Sequence, residues 1–502
     1  MGIMRTKSVE QAIRDTEEPE FQLRKALGPI DLIVFGIGVI IGTGIFVLTG
    51  VAAHDFAGPA ISLSFVFSGI ACALAALCYA EFASTVPVAG SAYTFSYVSM
   101  GEFFAWIIGW DLILEFTVAA SAVSVGWSQY FNRVLENIFG VALPAAITSP
   151  PSAGGIANVP GAAIALLLTV ILVVGIRLSS SFNLTVTVIK LSVVAFFIVV
   201  GIFYVNPENW SPFIPAAGSG AESVGAEGGG ASPSLLSVLT GIEQQSFGVG
   251  GIITGAAIVF FAYIGFDIVA TTAEEARNPQ RDLPIGILGS LAISTILYIL
   301  VSQIMTGIVP YNEIDTAAPM ASVFQDIGLN WAAGLVSIGA LAGLTSVVMI
   351  LMLGQSRVAF AMSRDNLLPR ILARTHPRFR TPYIITIITG VFVAIIAAFV
   401  ELGDLAELVN IGTLFAFILV SIGTVILRRT QPDLPRAFKT PLLLLVAPLA
   451  VLFCLYLMLA LPTLTWTRFL IWMAAGIVIY FAYSRSHSRL GRTQSGENRR
   501  ED

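Results

Sequence analysis

Residues 36–46 read Gly-Ile-Gly-Val-Ile-Ile-Gly-Thr-Gly-Ile-Phe, with four glycines set into the middle of the first long apolar run. In hydrocarbon every backbone N–H and C=O must be satisfied internally. Helix-weakening sequence is therefore tolerated only inside protein or beside a watery cavity. Unwound backbone at that depth frees amides and carbonyls to hold a small charged solute. The same stretch has a second description, because Gly38-Val39-Ile40-Ile41-Gly42 is also a GxxxG suited to close helix packing. The surrounding sequence has to decide between the two.

The chain has 502 residues, 56% of them hydrophobic and 11% charged, with mean hydropathy +0.86. Soluble domains carry roughly 25% charged residues, so an all-α polytopic membrane protein is predicted. Its formal net charge of −5 matters less than where the charges lie. Apolar runs of about 20 residues, bounded by Pro, Gly or charge, predict twelve transmembrane helices. They fall at 28–54, 59–84, 89–132, 159–178, 181–205, 248–274, 284–310, 331–363, 383–400, 404–428, 440–461 and 465–484. The third and eighth are long enough to include an extra-membrane turn or a strong tilt. Cys72, Cys78 and Cys454 all sit in apolar runs with no disulfide or metal spacing, and read as small core residues. The first 28 residues are polar and carry no signal-peptide pattern.

Basic residues orient these helices, since cytoplasmic loops carry the excess of Lys and Arg. With both termini inside, nearly all of the 26 Lys and Arg fall in cytoplasmic segments. Only Arg133 and Arg468 lie outside, and Lys190 lies within a span. Residues 1–27 then form a cytoplasmic segment, and 206–247, with no Lys or Arg and several Gly runs, a flexible extracellular insert. The basic segment 364–380 faces inward and suits contact with anionic lipid headgroups. Residues 485–502 read as a disordered cytoplasmic tail.

A second interruption lies in the sixth run, at Gly265 with Asp267 beside it. The two interrupted helices each open a set of five: 28–205 (helices 1–5) and 248–428 (helices 6–10), with helices 11–12 at 429–484. That is the placement expected of an inverted repeat with a site between the breaks.

Several stretches together resemble the amino acid–polyamine–organocation superfamily. Residues 36–46 are similar to its first-helix signature. Phe-Phe-Ala-Tyr-Ile-Gly-Phe-Asp at 260–267, Thr-Ala-Glu-Glu-Ala-Arg-Asn-Pro at 272–279, Gly-Gln-Ser-Arg at 354–357 and Ala-Met-Ser-Arg-Asp-Asn-Leu-Leu-Pro at 361–369 resemble its cationic amino acid transporter branch. The likeness spans roughly residues 20–485. It implies a five-plus-five inverted repeat of the leucine-transporter type, with an amino acid held between helices one and six. The substrate carboxylate would meet the amides of Thr43, Gly44 and Ile45, at a helix N-terminus whose dipole favours an anion. The α-ammonium would meet carbonyls of Ile40, Ile41, Phe261, Ala262 and Ile264. Phe261 or Phe266 is either an aromatic gate or an ordinary core side chain.

Lys190 lies about ten residues from the cytoplasmic end of its apolar run, too deep for easy snorkelling. In the family a fifth-helix lysine is thought to stand where sodium-coupled relatives hold Na+. Lys190 is therefore read as a proton-coupling group, with H+ as the coupling ion. Ala342, Thr345 and Ser346 resemble the oxygen-ligand pattern of that sodium site and form the alternative. Glu115 and Asp267 are the other deep acids, read as proton-coupling partners or as braces between helices. Glu81, Glu102, Asp111 and Glu274, nearer the span ends, read as solvated. The three histidines lie outside the membrane core.

Helix eight reads Val347-Val348-Met349-Ile350-Leu351-Met352-Leu353, bulky and apolar. Met352, with Met349 second, is read as a size filter. Small neutral amino acids come first as substrates and cationic ones second. The missing GxxxxGK[ST] loop argues against a nucleotide-driven pump, and the lack of a His, Cys or acidic cluster in the spans against an enzyme. A channel would repeat one filter sequence, whereas the two breaks differ. No cofactor, metal or nucleic-acid partner is expected. The reading is a secondary transporter of the plasma membrane, a proton symporter, with an amino acid exchanger or a Na+ symporter as the rivals.

Overall fold

The computed structural model describes residues 5–7, 25, 27–88, 91–175, 180–218, 232–241, 246–379 and 381–494. The chain is 80% helical, with no strand among the described residues. Its principal helices are α1 (Pro29–Ile40), α2 (Ile61–Thr85), α3 (Glu102–Phe139), α4 (Val159–Val174), α5 (Ser180–Gly201) and α6 (Gly248–Val259). They continue as α7 (Pro279–Ile308), α8 (Asn330–Arg364), α9 (Tyr383–Phe399), α10 (Leu402–Thr430), α11 (Leu443–Leu459) and α12 (Thr463–Ile479). Among the described residues, eight helical stretches are long and apolar enough to cross a bilayer, and α1, α4, α9 and α11 are shorter apolar helices. The chain is an all-α polytopic membrane protein.

The two interruptions fall where the glycines predict them. α1 stops at Ile40, Ile41 turns to φ −74°, ψ 95°, and helical backbone resumes at Gly44–Leu48. α6 tightens into a 3₁₀ turn over Phe260–Tyr263 and breaks at Ile264 and Gly265. It then continues as a second 3₁₀ stretch over Asp267–Glu275. The long third run has its own cause. A helix over Ser91–Ser99 is parted from α3 by Gly101 at φ +99°, a value that strongly favours glycine. α8 is unbroken over 35 residues. That is about 52 Å of helix against a hydrocarbon core of roughly 30 Å, so it must tilt or project.

α3 packs on α8 and α10, and α7 on α2 and α1; α2, α7 and α10 also contact the Phe260–Tyr263 turn of the second break. Tyr79, Phe95, Phe266 and Phe417 interlock nearby with ring centroids 5.0–6.2 Å apart. The three cysteines are buried, as core residues should be.

Three acids expected to be solvated are instead buried: Glu81, Glu102 and Asp111. Glu81 joins α2 to the α10–α11 connection. It accepts from both ends of the Arg428 guanidinium and from the Thr440 amide at 2.8 Å, and lies 3.5 Å from Arg436. Glu102 accepts from the hydroxyls of Tyr97, Tyr480 and Ser488. Ser488 belongs to the segment expected to be a disordered tail. Over its described part that segment forms short helices at Arg485–His487 and Arg489–Gln494. Polar anchoring explains the difference: Ser484 Oγ donates to the Leu367 carbonyl at 2.7 Å, and the Arg489 amide to the Asp365 carbonyl at 3.1 Å.

The expected flexible insert is likewise held at both flanks. Trp210 and Asn209 donate to carbonyls of Gln303 and Gly307, and the Pro233 carbonyl accepts from Thr463. Residues 219–231 and 242–245 of the insert lie outside the described residues, as do Arg177, most of 1–27 and all of 495–502.

Glu81→Gln should lower unfolding stability by about 3 kcal/mol, because it leaves the buried Arg436 guanidinium without its counter-charge. Thermal unfolding of the detergent-purified protein measures this, with the exposed Arg429→Gln as the unperturbed control. Equal midpoints for the wild type and Glu81→Gln would refute it.

Candidate functional site between the two helix breaks

The break after α1 has a donor side and an acceptor side. On the donor side, the amides of Thr43, Gly44 and Ile45 have no backbone carbonyl partner among the described residues; intrachain bonding resumes with Phe46 to Gly42 at 3.3 Å. These are the free N–H groups that open any helix. The Thr43 hydroxyl beside them is buried and also has no partner among the described residues. On the acceptor side, Gly38, Ile40 and Ile41 present carbonyls that the interrupted helix no longer covers.

Side chains from two other helices reach that acceptor side. Lys190 of α5, fully buried, donates from Nζ to the Gly38 carbonyl at 2.5 Å and the Ile41 carbonyl at 3.2 Å. Its stem passes Gly343 of α8, where an added Cβ would come 2.8 Å from Lys190 Cγ. Tyr298 of α7 lies 2.8 Å from the Ile40 carbonyl and 2.6 Å from that of Ala262. A phenol has one proton to donate, so these two carbonyls share it and keep acceptor capacity between them.

The second break is braced from within. The Gly265 amide donates to Asp267 Oδ1 at 3.2 Å, and Gly265 itself sits at φ +124°. The Phe261 carbonyl is taken by the Ile264 amide at 3.2 Å. The two breaks touch: a Cβ on Gly44 would overlap the Ala262 main chain, and one on Gly265 would come 2.7 Å from Val39. Ile40, Ile41, Thr43, Gly44, Ile45, Phe261, Ala262 and Ile264 are therefore gathered into one buried region.

The remaining expected residues divide. The Thr345 hydroxyl accepts from Trp127 Nε1 at 2.9 Å and donates to Leu341, while Ser346 donates to Gly343. Neither is bonded to the Lys190 ammonium. Ala342 is half-buried on the same helix. Met349 and Met352 are buried on α8, a little beyond Val347, which lies against Gly42. Phe266 is locked against Tyr79 and Phe417, whereas Phe261 is buried with no such stack among the described residues. Glu115 is buried, and neither of its carboxylate oxygens has a hydrogen-bond partner among the described residues. Asp111, one turn away on α3, is in the same condition.

Tyr298 and Asp111 are the site residues that the sequence reading missed. Tyr298 had a signal: Ser290, Ser294, Tyr298, Ser302 and Thr306 recur every four residues along α7 and are all buried. Such a polar stripe marks a face turned toward other protein rather than lipid. Asp111 stands one helical turn before Glu115, a spacing that puts both carboxyls on one face.

The chain is thus a polytopic membrane protein whose helices break at two adjoining places, with unbonded backbone amides at the first. An amino acid permease family model matches residues 27–483, and the chain belongs to that family, within the amino acid–polyamine–organocation superfamily. It is a transporter and not an enzyme. It is 47% identical to the branched-chain amino acid permease BcaP of Bacillus subtilis (strain 168), over 97% of this chain and 99% of the relative. It is 44% identical to the methylthioribose transporter of the same organism, over 94% of this chain and 95% of the relative. It is 38% identical to the vacuolar cationic amino acid transporter 2 of Arabidopsis thaliana, over 86% of this chain and 64% of that longer protein.

Tyr298→Phe should destabilise the protein by about 1–3 kcal/mol, since it strips the shared proton from two buried carbonyls and puts nothing in its place. A lower thermal midpoint in detergent is the expected result. A midpoint equal to that of the wild type would show that the hydroxyl is dispensable.

Proposed function

We propose that the chain takes up amino acids across the plasma membrane as a proton-coupled symporter working by alternating access. In this reading twelve helices span the bilayer, the first ten as a five-plus-five inverted repeat, and both termini are cytoplasmic. The observation that carries it is the pairing of unbonded Thr43, Gly44 and Ile45 amides with nearby carbonyls that the broken helices release and that side chains take up only in part. A zwitterion offers the complementary ends: its carboxylate suits the N–H groups at a positive dipole end, and its ammonium suits the carbonyls. The Ile40 and Ala262 carbonyls fit best, since they share a single proton from Tyr298. Those of Ile41, Phe261 and Ile264 complete the acceptor set, and the Thr43 hydroxyl adds a further polar contact.

Lys190 would couple the proton. Its ammonium bonds to Gly38 and Ile41, so it is tied directly to the substrate-binding break. Loss of that proton would weaken both contacts and loosen the first helix at its interruption. Glu115 supports the same reading as a buried carboxyl with no hydrogen-bond partner among the described residues, placed to exchange a proton. Asp267 would act through geometry, by holding the second break in shape. Sodium fits less well, because Thr345 and Ser346 are engaged elsewhere and Lys190 already provides a cation beside them.

Substrates would be neutral before cationic. The Val347–Leu353 run is apolar and bulky, with Met352 limiting the side chain. A relative named for branched-chain substrates covers almost the whole length, whereas relatives named for cationic ones match over less of it.

Reconstituted protein tests both parts. An imposed inward proton gradient should drive uptake of labelled alanine or leucine into vesicles without internal substrate, and arginine more weakly. Obligate exchange predicts no such uptake, and sodium coupling predicts uptake driven by a sodium gradient alone. Lys190→Met should cut gradient-driven uptake roughly tenfold or more. Unchanged pH-dependent uptake in that variant would remove Lys190 from the mechanism.

A further inference from the structure

α10 ends on Arg428 and Arg429, and α11 begins with Leu443; between them lies a cavity of about 600 Å³. Val425, the two arginines and Leu442 to Leu445 line it. That volume falls within the roughly 300–1,000 Å³ typical of small-ligand sites. Its polar wall is cationic. Arg428 is fixed by Glu81, which also faces Arg436, so one carboxylate serves two guanidiniums. Arg429 is exposed and has no ion pair among the described residues. The local charge is therefore positive and uncompensated.

The other wall is apolar and turned outward. Leu442, Leu444 and Leu445 are 75%, 70% and 55% exposed. Leu442 sits at φ +45°, a region that β-carbon-bearing residues rarely enter and that has to be held by its surroundings. Contact with bulk acyl chains accounts for the leucines alone. It leaves the hollow and the unpaired guanidinium beside them unexplained.

We propose that this cavity binds one anionic glycerophospholipid. Its phosphate lies between the guanidiniums of Arg428 and Arg429, and its acyl chains run along Leu442, Leu444 and Leu445. Charge complementarity selects the anionic headgroup, and continuity with the apolar outer surface selects a lipid over a free anion. The first turn of α11 adds its positive dipole end to the same side. The site lies on the outside of the bundle, apart from the two helix breaks, and it does not depend on which solute is carried.

The test is native mass spectrometry of the full chain released from neutral detergent and titrated with phosphatidylglycerol and phosphatidylcholine of equal chain length. One phosphatidylglycerol should be retained in preference to phosphatidylcholine. Arg429→Gln should weaken that retention roughly fivefold, the scale of one arginine at an anionic surface, with an unchanged thermal midpoint as proof of folding. Arg429→Lys should fall between, keeping the charge but losing the fork that grips two oxygens. Equal retention of the two lipids, or no effect of Arg429→Gln, would overturn the proposal. So would competition by millimolar inorganic phosphate, which would mark a free-anion site. A stable dimer that excludes lipid would assign the face to a second copy of the chain.

Discussion

A carbonyl released by a broken helix inside a membrane has no water to turn to, and much of this bundle is arranged around that requirement. Tyr298 and Lys190 serve the acceptor side of the first break. Asn410 of α10 donates to the Ala257 and Ile258 carbonyls, just before the second. Further out, Ser64 and Ser68 donate to Ile252 and Ala256, Tyr263 to Phe65, and Tyr130 to Phe46. Each of these bonds joins two helices through one side chain and one main-chain oxygen. The polar residues of the core thus fix which helices neighbour the breaks, and the apolar residues fill the space left over.

The amide side of the first break is treated differently. Among the described residues no backbone group covers Thr43, Gly44 or Ile45, whereas the carbonyls of Gly38, Ile40 and Ile41 accept from Lys190 and Tyr298. Donors cost as much to bury unpaired as acceptors do, so an uncovered set is tolerable where a ligand takes the vacant role. On the proposed reading that ligand is the carboxylate of an amino acid.

Much of the architecture was legible from spacing. Apolar run length gave the helices, and four glycines in eleven residues gave the first break. Asp267 beside Gly265 gave the second, and its carboxylate turns out to brace that break by accepting from the Gly265 amide. Lys190 stood out because it is the one charged residue in an apolar run, with Ile189 and Leu191 as its chain neighbours. What the sequence concealed was pairing between distant positions. Glu81 looked solvated because its partners, Arg428 and Arg436, lie some 350 residues away. Glu102 and the segment after Ser484 misled for the same reason, since each stabilises the other. Asp111 was misread from its distance to a span end, when its position one turn from Glu115 carried more information.

Tyr298 places one hydroxyl between the Ile40 and Ala262 carbonyls, one beside each interruption. In mechanical terms it is a pin through two hinges. Either half-helix could swing freely on its own glycines, but the pin removes that independence and leaves one shared degree of freedom. On the proposed alternating-access reading, tilting of the first broken helix would then carry the second with it, or break this hydrogen bond. Such a linkage would favour all-or-none motion over a series of partial openings, the property that the proposed mechanism requires.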